Sequence, residues 1–395
     1  MDHLFRRRKL LKTLLSLTLV FGTLLTIQKF KVQDSGVKEL LWKPKNKWWK
    51  RETSGNSSSP WDGEVSALTR TPLPTWNVVA ANCSVGAPDA HSKDWLNKLE
   101  ARFQQFVLHR RCRYFPMLLN HPEKCGADVD VLLVVKSVIE QHERREAVRR
   151  TWGAERTVRG RRVKTLFLLG TPSPGKDTKN LQKLLEYEDR IYGDILQWDF
   201  MDTFFNLTLK EVNFLRWFHI YCARVSFVFK GDDDVFVNTD NLVELIDFRT
   251  EEGKAHELFT GDTISKAIPI RNKQSKYYIP REMFDKPYPP YVGGGGFLMS
   301  SQIARRLFTA SEGLELFPID DVFLGMCLQK LGKAPESHPG FKTFGIVKRK
   351  VSSMNSEPCF FRQLIVVHKL SAHDLLRMWS VVQDQKLTCA KNYSL

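Results

Sequence analysis

The chain contains no Cys-x-x-Cys pair, no Gly-x-x-x-x-Gly-Lys-Ser/Thr loop and no evident internal repeat. The first absence argues against a zinc ribbon or a thioredoxin-type redox site. The second removes the phosphate-binding loop that an ATPase of the Walker type requires, and the third argues against a solenoid or propeller. Long apolar runs are also scarce: one exists, and the mean hydropathy is −0.32, so the chain is not a multispan membrane protein. Acid is the scarcer charge, 44 Asp and Glu against 60 Lys and Arg, for a net +16 over 395 residues. Such an excess ordinarily raises nucleic acid as a partner. Here thirteen bases and three acids fall in the first 51 residues, so +10 of the +16 belongs to the N-terminal segment. The remainder lacks a concentrated basic patch or a groove-reading motif, and no nucleic acid partner is expected. What is present is apolar mass: 42% hydrophobic and 11% aromatic residues suffice for a core and exclude a wholly disordered chain.

The one apolar run, residues 10–27, is interrupted only by Lys12 and follows Arg6 to Lys9. A span of the hydrocarbon core needs about 20 residues, with ~17 as the short limit. The preceding bases keep the N-terminus cytosolic. The alternative, a cleaved signal peptide, lacks a small-x-small cleavage site. The sequence therefore divides into a cytosolic tail (1–9), a transmembrane signal-anchor (10–27), a stem (28–92) rich in Pro, Ser and Lys, and a lumenal domain (93–395). A short span suits a thin membrane of the early secretory pathway. Lumenal exposure makes the sequons at Asn56, Asn82, Asn206 and Asn392 candidate glycosylation sites. It also makes disulfides stable among the seven cysteines, at least one of which stays free or pairs between chains; the sequence does not choose the connectivity.

Within the lumenal part, short apolar runs alternate with helical patterns. A helix is expected over 95–109, and strands over 131–135, 163–169, 194–198 and 225–229. Helices are expected over 141–152, 177–192, 208–222 and 241–248, the second burying Leu181, Leu184, Leu185 and Tyr187 on one face. Beyond Leu258 the pattern becomes irregular, apart from a further strand at Leu364-Ile-Val-Val. The alternation predicts an open α/β sheet whose ligand lies past the strands' carboxyl ends.

Four features carry chemistry. Asp232, Asp233 and Asp234 directly follow a buried strand, where their repulsion needs a cation or bases to offset it. Hard divalent ions take such oxygens together with phosphates. A solvated acidic turn is the plainer reading, but the apolar flanks oppose it. Gly293 to Gly296 allow a backbone to approach a ligand closely, which predicts a loop hugging that ligand. Asp320 and Asp321 open a helix, either as caps or, for one of them, as a general base. Lys136 and Ser137 end the first strand, with Arg144, Arg145, Arg149 and Arg150 following, some facing phosphate and at least half merely solvated. His368 could complete a metal site with the acids.

These residues carry a resemblance. Residues 144–153 (RREAVRRTWG), 194–200 (DILQWDF), 204–210 (FFNLTLK), 230–237 (KGDDDVFV), 288–297 (YPPYVGGGGF) and 318–327 (PIDDVFLGMC), in that order, resemble the inverting β-1,3-glycosyltransferases of animal Golgi membranes. Within that family they resemble the β-1,3-N-acetylglucosaminyltransferases. The resemblance implies an α/β nucleotide-diphosphosugar fold of GT-A type with a mixed, mostly parallel central sheet. It implies a UDP-N-acetylglucosamine donor, a galactose-terminated glycan acceptor of N-acetyllactosamine or keratan type, and Mn²⁺, with Mg²⁺ as the alternative. By position, Asp321 is the implied catalytic base, and Asp234 with His368 the metal ligands, His338 being the alternative histidine. Lys136, Ser137, Arg145, Arg149, Lys210, Asp232 and Asp233 are implied to hold the nucleotide. Gly294, Gly295 and Asp320 would lie at the donor sugar, and Tyr277, Tyr288 and Tyr291 at the acceptor. The Golgi membrane is the implied location, with room for a homo-oligomer or an enzyme complex. A β-1,3-galactosyltransferase and a non-catalytic, membrane-anchored glycan-binding protein are the alternatives.

Overall fold

The computed structural model describes residues 75–81, 83, 92–126, 128–175, 177–343 and 357–389. The expected tail, membrane span, most of the stem and the sequons at Asn56, Asn82 and Asn392 lie outside these residues. Among the described residues no helix is long and apolar enough to cross a membrane.

The helices are α1 (Ser92–Lys98), α2 (Ala101–His109), α3 (His142–Arg149), α4 (Thr178–Tyr192), α5 (Leu207–Tyr221), α6 (Thr239–Glu251), α7 (Ser301–Glu312), α8 (Asp320–Lys330), α9 (Pro358–Gln363) and α10 (Ala372–Gln383). The larger sheet runs β1 (Met117–Leu119), β5 (Ile195–Met201), β4 (Arg161–Thr171), β2 (Val131–Lys136), β6 (Phe227–Asp232), β9 (Tyr291–Ser300), β8 (Phe259–Ile264), β10 (Glu336–Ser337), with β3 (Arg156–Val158) on β4. A smaller sheet pairs β11 (Phe341–Lys342), β12 (Val366–His368) and β7 (Val235–Val237).

The architecture is a mixed α/β fold around a mixed central sheet. Its centre, β5-β4-β2-β6, is parallel, as the continuous apolar runs require of strands covered on both faces. Strand alternation sorts side chains between two cores. Leu132 and Val134 face α5, α7 and α8, whereas Val131, Leu133 and Val135 face α3, α6, α10 and the small sheet. Full burial of each such side chain is worth roughly 1.5–3 kcal/mol.

Three expectations change. Among the described pairings of the larger sheet four are parallel and four antiparallel, so parallel order dominates only the centre. Helix α4 buries Leu185, but Leu184 and Tyr187 are 65% and 60% exposed. The inward position three residues beyond Leu185 belongs to Glu188, which two buried arginines engage. The glycine run is no loop. It lies within β9, which pairs with β6 from Gly296 to Ser300 and with β8 on its other edge, where the register shifts opposite the glycines. Two ladders outweigh glycine's weak strand preference, and the missing Cβ atoms are used as described below.

Disulfides join Cys83 to Cys112, Cys125 to Cys222 and Cys359 to Cys389, leaving Cys327 free and buried. Within the expected stem, Trp76 docks on the domain: its amide donates to the Tyr221 hydroxyl and its indole N–H to the Phe115 carbonyl.

Candidate active site

Adjacent parallel strands bring the first charges together. Lys136 of β2 lies in register with Asp232 of β6, both at the strands' carboxyl ends. Its ammonium sits 3.1 Å from Asp232 and 2.9 Å from Asp320. Burial disfavours that charge, but Asp232, Asp320 and Asp321 outweigh it and hold the Lys136 pKa well above the ordinary value.

The three aspartates have separate surroundings. Asp233 turns inward, accepting from the Ser137 hydroxyl at 2.7 Å and from Arg144 at 3.1 Å. Asp234 faces His368, with Nε2 3.0 Å from its carboxylate and 3.6 Å from that of Asp232. One ligand atom each from Asp232, Asp234 and His368 lies within 4.8 Å of the others. The His368 Nδ1 faces the Thr343 carbonyl, which can only accept. The Nδ1 proton is thus fixed, and Nε2 donates a second one to Asp234. Burial opposes the charged ring, but that hydrogen bond and the two acids outweigh it and raise the imidazole pKa. A cation held by the acids would displace the Nε2 proton and take the Nδ1–H tautomer as its ligand. Two carboxylates and one imidazole fit a borderline or hard divalent ion. His338 is elsewhere, its Nδ1 accepting from the Gly340 amide at 3.1 Å.

The second acid pair opens α8. Neither aspartate is the N-cap, which is Ile319 and lacks a side-chain cap bond. Asp320 is buried against Lys136. Asp321 accepts the Gly294 amide at 3.0 Å. Burial pushes the Asp321 carboxyl well above the usual range, and Asp320 and Asp232 add to the rise. Burial acts the same way on Asp320, but Lys136 and Lys230 reverse it and hold Asp320 below its ordinary value. One carboxylate stays charged and its neighbour becomes a proton acceptor of raised basicity, the usual division in an acid–base site.

Strand β9 separates the two acid groups, and its glycines make the spacing achievable. A Cβ at Gly294 would lie 2.3 Å from Asp321 Oδ1; one at Gly295 would lie 2.7 Å from His368 Nδ1. No side chain fits either place.

Other expected residues fall in three groups. Tyr291 is partly buried beside Asp321, and burial first, then that charge, raises its phenol to about 12. Tyr288 is buried against Phe284, Phe317 and Tyr291; its hydroxyl has no hydrogen-bond partner among the described residues. Tyr277 is exposed, edge-on to Phe204. Lys210 is buried under the first strand's end, donating to the Ser137 carbonyl at 2.6 Å and to Asp202 at 2.9 Å. Arg145 spends all five donors inside the protein, on Glu188, Ser137, Val138 and Ile139. Arg149 pairs with Glu188 and Asp194 and packs on Phe167 and Tyr192. In this structure Arg145 braces the loop after β2. Asn206 donates its amide to the Met201 carbonyl at 2.8 Å. Arg144, one of the bases that follow the first strand, is the neighbour that does reach the acids, and beneath them lies the buried Lys230–Glu211 pair, which no local pattern marks. Helix phase separates Arg144 from Arg145, and only packing shows which faces the crevice.

Comparison with known proteins gives first a class, then a group. Residues 143–339 match the family model described as Galactosyltransferase. The rat UDP-GlcNAc:betaGal beta-1,3-N-acetylglucosaminyltransferase 7 is 54% identical over 349 residues, 86% of this chain and 87% of that protein. The mouse N-acetyllactosaminide beta-1,3-N-acetylglucosaminyltransferase 2 is 39% identical over 97% of this chain and 99% of that protein. The human N-acetyllactosaminide beta-1,3-N-acetylglucosaminyltransferase 3 is 44% identical over 80% and 85%. The chain belongs to the galactosyltransferase family, within its β-1,3-N-acetylglucosaminyltransferase group.

Proposed function

We propose that the protein transfers N-acetylglucosamine from UDP-N-acetylglucosamine to the 3-hydroxyl of a terminal β-galactose on N-acetyllactosamine or keratan-type chains. Transfer inverts the anomeric centre, on a fold of GT-A type. The observation that carries this reading is Asp321, a carboxylate of raised basicity held by the Gly294 amide across one strand from the Asp232–Asp234–His368 cluster. The names of the relatives supply the donor and acceptor classes.

In this reading Asp321 takes the proton of the attacking hydroxyl. The Gly294 amide holds its orientation. Lys136 keeps Asp320 charged beside it and adds positive charge where the diphosphate departs. Asp234 and His368, with Asp232 nearby, would hold Mn²⁺, or Mg²⁺ in its place. That ion, when bound, supplies Lewis-acid neutralisation of the leaving diphosphate. Tyr277 and Tyr288 line the acceptor side. Residues 10–27 anchor the chain in the Golgi membrane with the catalytic part lumenal, in line with the single apolar run and the bases before it.

The test is one assay of the full chain in detergent, offering UDP-N-acetylglucosamine and UDP-galactose in parallel to an N-acetyllactosamine acceptor, with linkage analysis of the product. A β-1,3-linked N-acetylglucosamine is expected. Preferential galactose transfer would replace the donor assignment, and glycan binding without UDP release would replace the enzyme by a lectin.

A further inference from the structure

The sheet that carries His368 is tied to the large sheet through Asp262. This residue lies on β8, and one of its carboxylate oxygens accepts twice from Thr343: from the amide at 3.1 Å and from the hydroxyl at 3.0 Å. Thr343 directly follows β11 and is 2% exposed. Its own carbonyl receives the Nδ1–H of His368, and the opposite ring nitrogen faces Asp234 at 3.0 Å. A continuous hydrogen-bonded series thus runs Asp262, Thr343, His368, Asp234. It crosses β9 at the point where a Cβ on Gly295 would lie 2.7 Å from the His368 ring nitrogen and 3.2 Å from Thr343 Cβ.

The series joins the small sheet to the large one by polar contacts, in addition to the hydrophobic core the two share. His368 belongs to the small sheet, in register with Val235 of β7, and Asp234 is the turn residue directly before that strand. Gly294, which holds the base, belongs to the large sheet. A metal centre that takes His368 from the small sheet performs its task only at a fixed distance from that base. Hydrogen bonds from beyond the ligand shell set the tautomer and ring orientation of a metal-binding histidine.

We propose that Asp262 is a positioning residue for the metal centre, acting through Thr343 to aim the His368 Nε2 at the ion shared with Asp234. The proposal rests on the metal reading of the cluster given above. Asp262 is about as far from the aspartate triad in sequence as His368 is from Thr343, so nothing in the linear pattern marks it.

The test measures Mn²⁺ binding to the full chain in detergent, by the loss of the free-ion electron paramagnetic resonance signal with UDP present. Circular dichroism melts report folding alongside. The Asp262→Ala variant is expected to bind Mn²⁺ roughly 10- to 100-fold more weakly, with turnover recovering at saturating Mn²⁺. The Asp262→Asn variant, whose amide oxygen still accepts both bonds, should stay close to the unaltered chain. Thr343→Val, which removes one of the two bonds at similar volume, should fall between. A folded Asp262→Ala variant with unaltered Mn²⁺ affinity overturns the proposal. If that variant does not fold, unaltered affinity in Thr343→Val overturns it instead. His368→Ala separates the two levels. If it abolishes binding while Asp262→Ala does not weaken it, only the relay fails; if the unaltered chain binds no Mn²⁺, the metal reading fails and this inference with it.

Discussion

Asp234 and Asp321 stand on opposite sides of one glycine strand, and the protein gives them opposite properties. Both are partly buried, and in both cases burial works to raise the carboxyl pKa. For Asp234 the His368 contact and Arg144 reverse that tendency, so it stays ionised. For Asp321 the neighbours are Asp320 and Asp232, which reinforce it. Asp321 is the more deeply buried of the two, and its neighbours reinforce the effect of burial where those of Asp234 oppose it. One acid group becomes fit to share a cation, and the other to take a proton.

The comparison breaks most sharply at the base. Asp321→Asn should lower kcat by roughly 10²- to 10⁴-fold while UDP-donor binding changes little, as read by turnover and by calorimetric titration. Equal loss of binding and turnover would mean that Asp321 is not the base. Asp234→Ala should act on the other group, abolishing metal-dependent donor binding; unchanged Mn²⁺ dependence would remove it from the metal site. The glycines give a finer division. An alanine at 294 displaces the Asp321 carboxylate and should lower kcat with little change in metal activation, whereas one at 295 displaces His368 and should raise the Mn²⁺ requirement first. If both variants show the same profile, the strand does not separate the two functions. The smallest effect is in pH. Because Asp321 holds its proton above the ordinary carboxylate range, turnover should rise as pH climbs beyond that range, and Asp321→Asn should flatten the rise. The same group makes the fold slightly less stable as pH rises between its unfolded and folded pKa, since the folded state binds the extra proton. A denaturant midpoint that falls with pH in the unaltered chain and not in the Asn variant would show this.

Much of this was readable in the linear chain. Runs of Val, Leu and Phe between helical patterns marked the central strands, because strands covered on both faces must be apolar throughout. The carboxyl ends of those strands placed Lys136, Ser137 and Asp232 at a crevice before any coordinates. The irregular segment after Leu258 was less readable. Tyr291 to Ser300 mixes glycines with apolar residues, and its strand state comes from pairing with β6 and β8, residues distant in sequence.

The sequence by itself determined the class of chemistry: runs of acids after a strand, a pair of acids opening a helix, and an excess charge sorted to the N-terminal segment. Composition and local pattern suffice there because strand burial, helix period and charge repulsion act over a few residues. The tertiary structure decided which member of each group does what. Arg144 reaches the acids while Arg145 has no donor left, Asp234 and not Asp233 meets His368, and Asp262 reaches His368 through Thr343. Those choices depend on which helix face or strand edge turns inward, and on partners up to 184 residues apart in sequence, as Lys136 is from Asp320. Desolvation and ion pairing are properties of that packed assembly, so no reading of the chain in one dimension contains them.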